Sequence, residues 1–563
     1  MRRKLFIAVI YALVVASSAH ARPTQLMPGV TYERTLEWTG AGPVAMHVIR
    51  APKPGGLYSL RALLSNGTIT GRETLSSMQR AAAPRMTTAG VNGDYSTFSV
   101  GVPTGLLMRD GVVEHHPATG RPAAGVDTSG NVHVDHVGWS ARWRGPSGVA
   151  YALGRVNEPP RAHSTALFTP VSGPRTPAIK GTAVVLQPFP ALVPRRELTG
   201  VVTAVVADQS VAIPPDGAVL VGRGDGAQSL QIEATVGSEL AVRIPLQLEW
   251  AQVTDAVGGG PTLVKDGRAI ANAGEAMTPA QVRGRNPRTA IGQRADGGIV
   301  MLAADGRRPG WSVGITILDL GLALMRYGCV TGLALDSGGS TTIAFEGKVL
   351  NRPSDRSGER PVAEGLVIAY TGVFTPAPTP PTLSPNADRA GDREVLAYKL
   401  VRPSTVSAKL IAPDAIAREL DAGQRNPGRY RLSWDGTDAA GAPASEGVYH
   451  WNVTATDDLG QTSTDDRTFR LDKTLGFLRL APGARRIDFT LARDADVRVT
   501  VETPGAVVLR TVVKGARPAG SVTVRWNGRD ARNKRFKRGR YAVRVSATSE
   551  IGLSALRMPF AIP

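Results

Sequence analysis

GIVMLAADGR, Gly298–Arg307, and VTGLALDSGGSTT, Val330–Thr342, are the two stretches on which the reading of the fold turns. Each is a short apolar run that stops at an aspartate and a glycine turn. The first ends in Asp305-Gly306-Arg307, the second in Asp336-Ser337-Gly338-Gly339-Ser340. Apolar runs bounded by turn residues read as buried strands. Between them Ile315, Leu318, Leu322 and Met325 recur at helical spacing, and Gly328 is placed to end the helix. A strand–helix–strand crossover makes its two strands parallel. Asp305 and Asp336 are then expected to emerge on one sheet edge, where open α/β sheets hold ligands. The fold class expected for the N-terminal domain is α+β or mixed α/β with a sheet core.

The residues expected at that edge share a chemistry. Asp305 and Asp336 can act as nucleophile, general base or metal ligand. Gly338, Gly339 and Ser340 offer backbone N–H groups suited to phosphate oxygens. Arg288, Arg307, Arg352 and Arg360 supply guanidinium groups that pair with phosphate through two hydrogen bonds. Asp-Gly after a strand is first of all a turn; the Gly-Gly-Ser segment and the nearby arginines are what point beyond that. A divalent cation is compatible with two carboxylates beside phosphate, and none is required, so the metal set stays open.

Working outward, Arg2-Arg3-Lys4, the apolar run Leu5–Ala16 and Ala19-His20-Ala21 read as a cleavable signal peptide over 1–21. The run is shorter than the roughly 20 residues of a membrane span, and no later stretch is long and apolar enough. The expected location is secreted or associated with the cell envelope. The one cysteine, Cys329, cannot form an internal bridge and sits in an apolar strand, as a buried structural thiol would. The net charge of +19 suits an anionic envelope polymer as partner. No zinc spacing, helix-turn-helix or aromatic RNA signature supports nucleic-acid binding.

Thr375–Pro385 (TPAPTPPTLSP) reads as a proline-rich linker after a domain over 22–374. Beyond it a pattern repeats. Trp434-Asp435-Gly436 with Gly447-Val448-Tyr449 is matched by Trp526-Asn527-Gly528 with Gly539-Arg540-Tyr541. Each Tyr opens an alternating strand, so two all-β immunoglobulin-like sandwiches are expected, over 386–470 and 471–563. They resemble the immunoglobulin-like domain of flagellar hook-capping proteins. The second carries a basic loop, Arg532–Arg540, that reads as a solvated hairpin tip or a contact for an anionic partner. Asn386–Asp392 is a weak match to a calcium loop.

Six segments in order resemble the phosphodiester glycosidase family. They are Asn92-Gly93-Asp94-Tyr95, Gly258-Gly259-Gly260-Pro261, Asn286–Gly292 (NPRTAIG), Asp305-Gly306-Arg307, Asp336–Thr342 (DSGGSTT), and Asn351–Asp355 with Gly358–Ala363 (NRPSD, GERPVA). The resemblance spans roughly residues 85–370 and implies hydrolysis of a sugar-1-phosphate diester on a glycan or sugar-phosphate substrate. For that reaction Asp336 is the expected nucleophile or base with Asp305 in support, and Glu359 is an alternative acid/base or else a salt-bridge partner of a neighbouring Arg. Arg307, Arg352 and Arg360 would hold the phosphate, and Asn92 and Asp94 the sugar hydroxyls. Three residues depart from the family pattern: Ser337 and Glu364 stand where Gly and Asn are usual, and Ser96 where an aromatic is. A non-catalytic polysaccharide-binding protein and a phosphodiesterase that cleaves P–O are the rival readings.

Overall fold

The two apolar runs are strands, Ile299–Ala304 and Cys329–Ala334, joined through helix Ile317–Arg326. They belong to a computed structural model that describes residues 23–97, 99–270, 275 and 277–563, with the backbone of 19–20. The signal peptide expected over 1–21 lies outside the described residues, apart from the Ala19–His20 backbone. The two strands run in the same direction but are not neighbours. Strand Arg288–Arg294 lies between them and pairs antiparallel with both. Asp305 and Asp336 therefore do leave on one edge, while the sheet is antiparallel.

The expected mixed α/β or α+β class is thus corrected: among the described residues about half are strand and 9% are helix. The physical reason is local. The turn Arg294–Gly298 folds Arg288–Arg294 back as a hairpin partner of Ile299–Ala304, with Arg294 N–H donating nothing to a crossover but pairing with Gly298 O at 2.8 Å. The helix is real, capped by the Thr316 hydroxyl, which accepts the Asp319 N–H at 3.1 Å, and Gly328 at φ +83° follows its end. Its buried face is Ile317, Leu320, Ala323 and Leu324; Leu318 and Leu322 are 45% and 44% exposed. Gly321 sets this choice. A Cβ there would lie 2.8 Å from Leu263 O, so the helix rests on strand Thr262–Lys265 through its glycine.

The chain divides between Tyr370 and Thr371 into two compact units. In the first, the nine-stranded sheet just described is accompanied by two five-stranded sheets and a closed seven-stranded barrel. One five-stranded sheet centres on Thr87–Asn92, paired with Glu364–Tyr370 and Ile343–Phe345. The barrel spans Arg142–Arg243 and closes where its first strand, Arg142–Arg144, pairs with its last, Glu239–Arg243. Its interior, with Trp143, Leu153, Leu167 and Leu220, is continuous with Leu106, Met108 and Trp250 outside it. No periodicity in the sequence had marked this barrel.

The second unit holds two sandwiches with separate cores, one around Trp434, Trp451 and Phe469, the other around Phe489, Val499 and Trp526. The repeated residues do the same work in each. The indole Nε1 of Trp434 and Trp526 donates to the carbonyl three residues on, Thr437 at 2.7 Å and Arg529 at 3.0 Å. The hydroxyls of Tyr449 and Tyr541 donate to the carbonyls four residues back, Ser445 and Lys537. The proline-rich stretch read as a linker is built into the first sandwich: Thr382–Leu383 pairs in parallel with Arg470–Leu471, and Leu383 is buried in the core. The Asn386–Asp392 segment is a self-capped turn. Asp392 accepts the N–H groups of Asn386, Ala387 and Arg389, leaving its carboxylate committed to backbone.

Candidate active site

Two sheets meet at the turn that carries Asp336. The Asp336 N–H donates to Gly93 O at 3.0 Å, and Asn92 Nδ2 donates to Asp336 O at 2.9 Å. Asn92 Oδ1 accepts from the Thr289 hydroxyl at 2.8 Å and the Thr342 N–H at 3.0 Å. Asn92 is fully buried and its amide is spent on tying the sheets together, so the sugar contact expected of it is replaced by a structural knot.

Asp94, two residues on, is the buried centre of the site. Its Oδ2 accepts the Gly105 N–H at 2.8 Å, and its Oδ1 pairs with Arg121 at 2.5 Å. A Cβ at Gly258 or Gly105 would come within 2.3 or 2.7 Å of that Oδ2, which is why glycine stands at both positions. Arg121 also donates to Gly259 O and lies over the Tyr95 ring, 4.7 Å from its centroid. Glu364, wholly buried, accepts the Asp94 N–H at 2.9 Å through Oε1. Its Oε2 is without a partner among the described residues. Burial and then the charge of Asp94 hold the Glu364 carboxyl well above the usual range. Asp94 is raised by burial too, with the charge of Arg121 and the hydrogen bonds it accepts opposing.

Asp336 lies beside this pair. Burial lifts its carboxyl to about 6, against hydrogen bonds from the Ser340 hydroxyl and the Ser337 N–H; Asp94 pushes the same way. Its Oδ1 accepts the Ser337 N–H at 2.7 Å. The Tyr95 phenol, raised by burial and by Asp336, shares a hydrogen bond with Ser337. Ser337 itself adopts φ −128°, ψ −177°, ordinary extended backbone, so a Cβ in place of glycine introduces no strain. Its hydroxyl is 3.4 Å from Arg288 Nη1. Arg288 is buried and also held by the carbonyls of Gln281 and Gly284. A cavity of about 170 Å³ opens here, lined by Tyr95, Arg121, Gly260, Glu275, Met277 and Gln281.

The remaining residues expected in the site divide. Gly338 sits at φ +72° and gives its N–H to Pro287 O, leaving the Gly339 and Ser340 N–H groups as the turn's donors. Arg307 reaches the turn: a Cβ on Gly338 would lie 3.1 Å from its Nη1, while its Nε and Nη2 hold Asn286 Oδ1. Arg360 packs on Gly339 but is paired through two hydrogen bonds with Asp355. Arg352 lies on the Trp311 ring, 3.6 Å from its centroid.

Asp305 is an anchor in place of the supporting catalytic group expected. It accepts from His47 Nε2 at 3.2 Å, Trp311 Nε1 at 2.7 Å, Asn351 Nδ2 at 3.1 Å and the Arg352 N–H. Burial alone would raise its pKa; these donors, led by His47, hold it below the usual value. Glu359 caps helix Leu75–Ala82, accepting the Ser76 N–H at 2.9 Å and its hydroxyl at 2.5 Å, which removes it as acid/base. Burial pushes the Cys329 thiol up to about 12, so it is structural. Arg121 and Tyr95 as a site pair went unnoticed in the sequence. Arg121 carries no motif of its own and meets Asp94 only through the fold.

Comparison with known proteins agrees with both resemblances. The phosphodiester glycosidase family matches residues 197–369, and the FlgD Ig-like domain matches 412–458 and 480–550. The first match holds Arg288, Asp336 and Glu364 and begins beyond Asp94. The chain is 40% identical over 111 residues to the SPbeta prophage-derived uncharacterized protein YomE of Bacillus subtilis (strain 168). That covers 20% of this chain and 17% of the relative. Two solved structures share the fold. A protein of Burkholderia pseudomallei K96243 aligns with TM-score 0.52 at 20% identity, over 65% of this chain and 100% of its own. A hypothetical protein from Synechocystis aligns with TM-score 0.51 at 23% identity, over 61% and 62%.

Proposed function

We propose that the protein hydrolyses a glycosyl phosphodiester at the bond between the anomeric carbon and the phosphate oxygen. The observation that carries this reading is the placement of Asp336. It is a half-buried carboxylate with a pKa of about 6, beside a glycine turn with two N–H donors and two guanidinium groups, Arg288 and Arg307. The match to the phosphodiester glycosidase family over 197–369 supports it.

At neutral pH Asp336 is mainly ionised and acts as nucleophile or base at the anomeric carbon. A phosphate monoester leaves readily, so the chief need is for charge neutralisation as the C–O bond breaks. Arg288, Arg307 and the Gly339 and Ser340 N–H groups meet that need. Asp94, buried with its oxygens on Arg121 and the Gly105 N–H, holds Arg121 against the Tyr95 ring at the wall of the cavity. The polymer acted on, and an extracytoplasmic site of action, rest on the net charge and the N-terminal sequence alone.

The test uses the purified protein and methyl N-acetylglucosamine-1-phosphate diester. Sugar release is expected, and Asp336→Asn should lower the rate at least ~100-fold. Unchanged turnover in that variant would sink the assignment. In oxygen-18 water the label should enter the sugar; label in phosphate would mean P–O cleavage. Retention of a polysaccharide with no released product would favour the binding-protein reading.

A further inference from the structure

We propose that His115, His116 and Glu158 form a transition-metal site of the zinc type, joined to the candidate active site through Gly105. His115 ends strand Val112–His115, and Glu158 follows strand Ala150–Val156. The His115 and His116 Nε2 atoms lie 3.8 and 3.6 Å from Glu158 Oε2, and the three ligand atoms lie within 4.8 Å of one another. Tetrahedral zinc, with bonds of about 2.0–2.1 Å, sets neighbouring ligand atoms about 3.3 Å apart. Glu158 Oε2 is thus within a few tenths of an ångström of that spacing from both rings.

An independent observation points to a ligand. His115 is 1% exposed, and its Nε2 is buried without a hydrogen-bond partner among the described residues. Its Nδ1 donates to Gly105 O at 2.7 Å, which fixes the tautomer and leaves the Nε2 lone pair facing Glu158. A buried acceptor with nothing to accept is uncommon in a native protein; a metal ion would satisfy it. The other atoms of the cluster are already oriented. Arg155 takes Glu158 Oε1 at 2.8 Å, leaving Oε2 free to ligate. His116 Nδ1 is 3.5 Å from the Val156 N–H, at the outer limit of a hydrogen bond, so the tautomer needed for ligation gives up little.

Two neutral imidazoles and one carboxylate select zinc or cobalt over calcium and magnesium, which take oxygen. The site also has a neighbour of consequence. Gly105 accepts from His115 through its carbonyl and donates to Asp94 Oδ2 through its N–H. A bound ion would therefore stiffen the residue that holds the Asp94 carboxylate.

The experiment uses the full chain, stripped with chelator and titrated with zinc chloride by calorimetry and with cobalt chloride by visible absorption. One equivalent of zinc should bind, and cobalt should give the d–d bands of a four-coordinate site. Cobalt should also quench Trp139, whose ring is 6.0 Å from that of His116. His116→Ala and Glu158→Gln should each weaken zinc at least ~10-fold, with unchanged circular dichroism. These two partly exposed positions carry the test, because His115→Ala opens a buried site. Failure of the wild-type chain to bind zinc stoichiometrically would overturn the proposal. So would wild-type affinity in both variants, which would place the ion elsewhere. Phosphodiester hydrolysis is a separate readout, so either claim can fail alone.

Discussion

At the residue scale, the main expectation concerns the cost of holding Asp336 ready. Its pKa is raised from the ordinary aspartate value to about 6. A carboxyl raised on folding binds its proton more tightly in the native state, so stability is fully present below pH ~4 and is lost as pH rises through 6. Asp336→Asn, which carries no charge, should escape that loss. It should be more stable than the parent at pH 7, by about 3 kcal/mol, with the two denaturation curves converging near pH 4. The rate should move the opposite way, rising through pH ~6 as the carboxylate forms; a flat profile from 5 to 8 would count against Asp336 as the acting base. The turn that carries this residue was legible because an Asp after an apolar run, with Gly-Gly-Ser behind it, is a local pattern. Arg121 was not. It is 27 positions from Asp94 in the chain, and only the fold brings them together. The true state of Asp305 was hidden in the same way, since His47 and Asn351 are remote in sequence.

At the element scale, helix Ile317–Arg326 shows why existence is easier to read than orientation. Leu318 and Leu322 are spaced as a face, and so are Ile317, Leu320 and Leu324. Hydrophobicity alone cannot choose between them, because both stripes are apolar. Gly321 decides, by allowing backbone contact with Leu263. Leu322→Lys should change stability by less than ~0.5 kcal/mol. Leu320→Ala should cost about 2–5 kcal/mol, and urea unfolding distinguishes the two. Equal effects would mean that the faces are wrongly assigned. The antiparallel partner Arg288–Arg294 is hidden for a related reason: its pairing with Ile299–Ala304 and Cys329–Ala334 leaves no mark in its own residue pattern.

At the scale of the whole molecule, the separate cores predict separable unfolding. Trp526 is buried in the last sandwich and donates to Arg529 O. Trp526→Ala should cost that sandwich about 3–5 kcal/mol and lower one thermal transition, leaving turnover of the phosphodiester unchanged. A loss of activity in parallel would show that the cores are coupled. The Asn92 knot has a different consequence, for covalent lifetime. Asn-Gly is the dipeptide in which the next backbone nitrogen most readily attacks the side-chain amide and converts it to aspartate or isoaspartate. Folding protects Asn92-Gly93 from both sides: the Gly93 N–H donates to Glu364 O at 2.9 Å, and the amide is held by four partners. The native chain should hold its mass at this peptide through prolonged incubation, while the urea-unfolded chain gains the one-dalton shift. Each such conversion would put a carboxylate where an amide joins the two sheets, so molecules that linger unfolded should age into copies unable to rebuild the site.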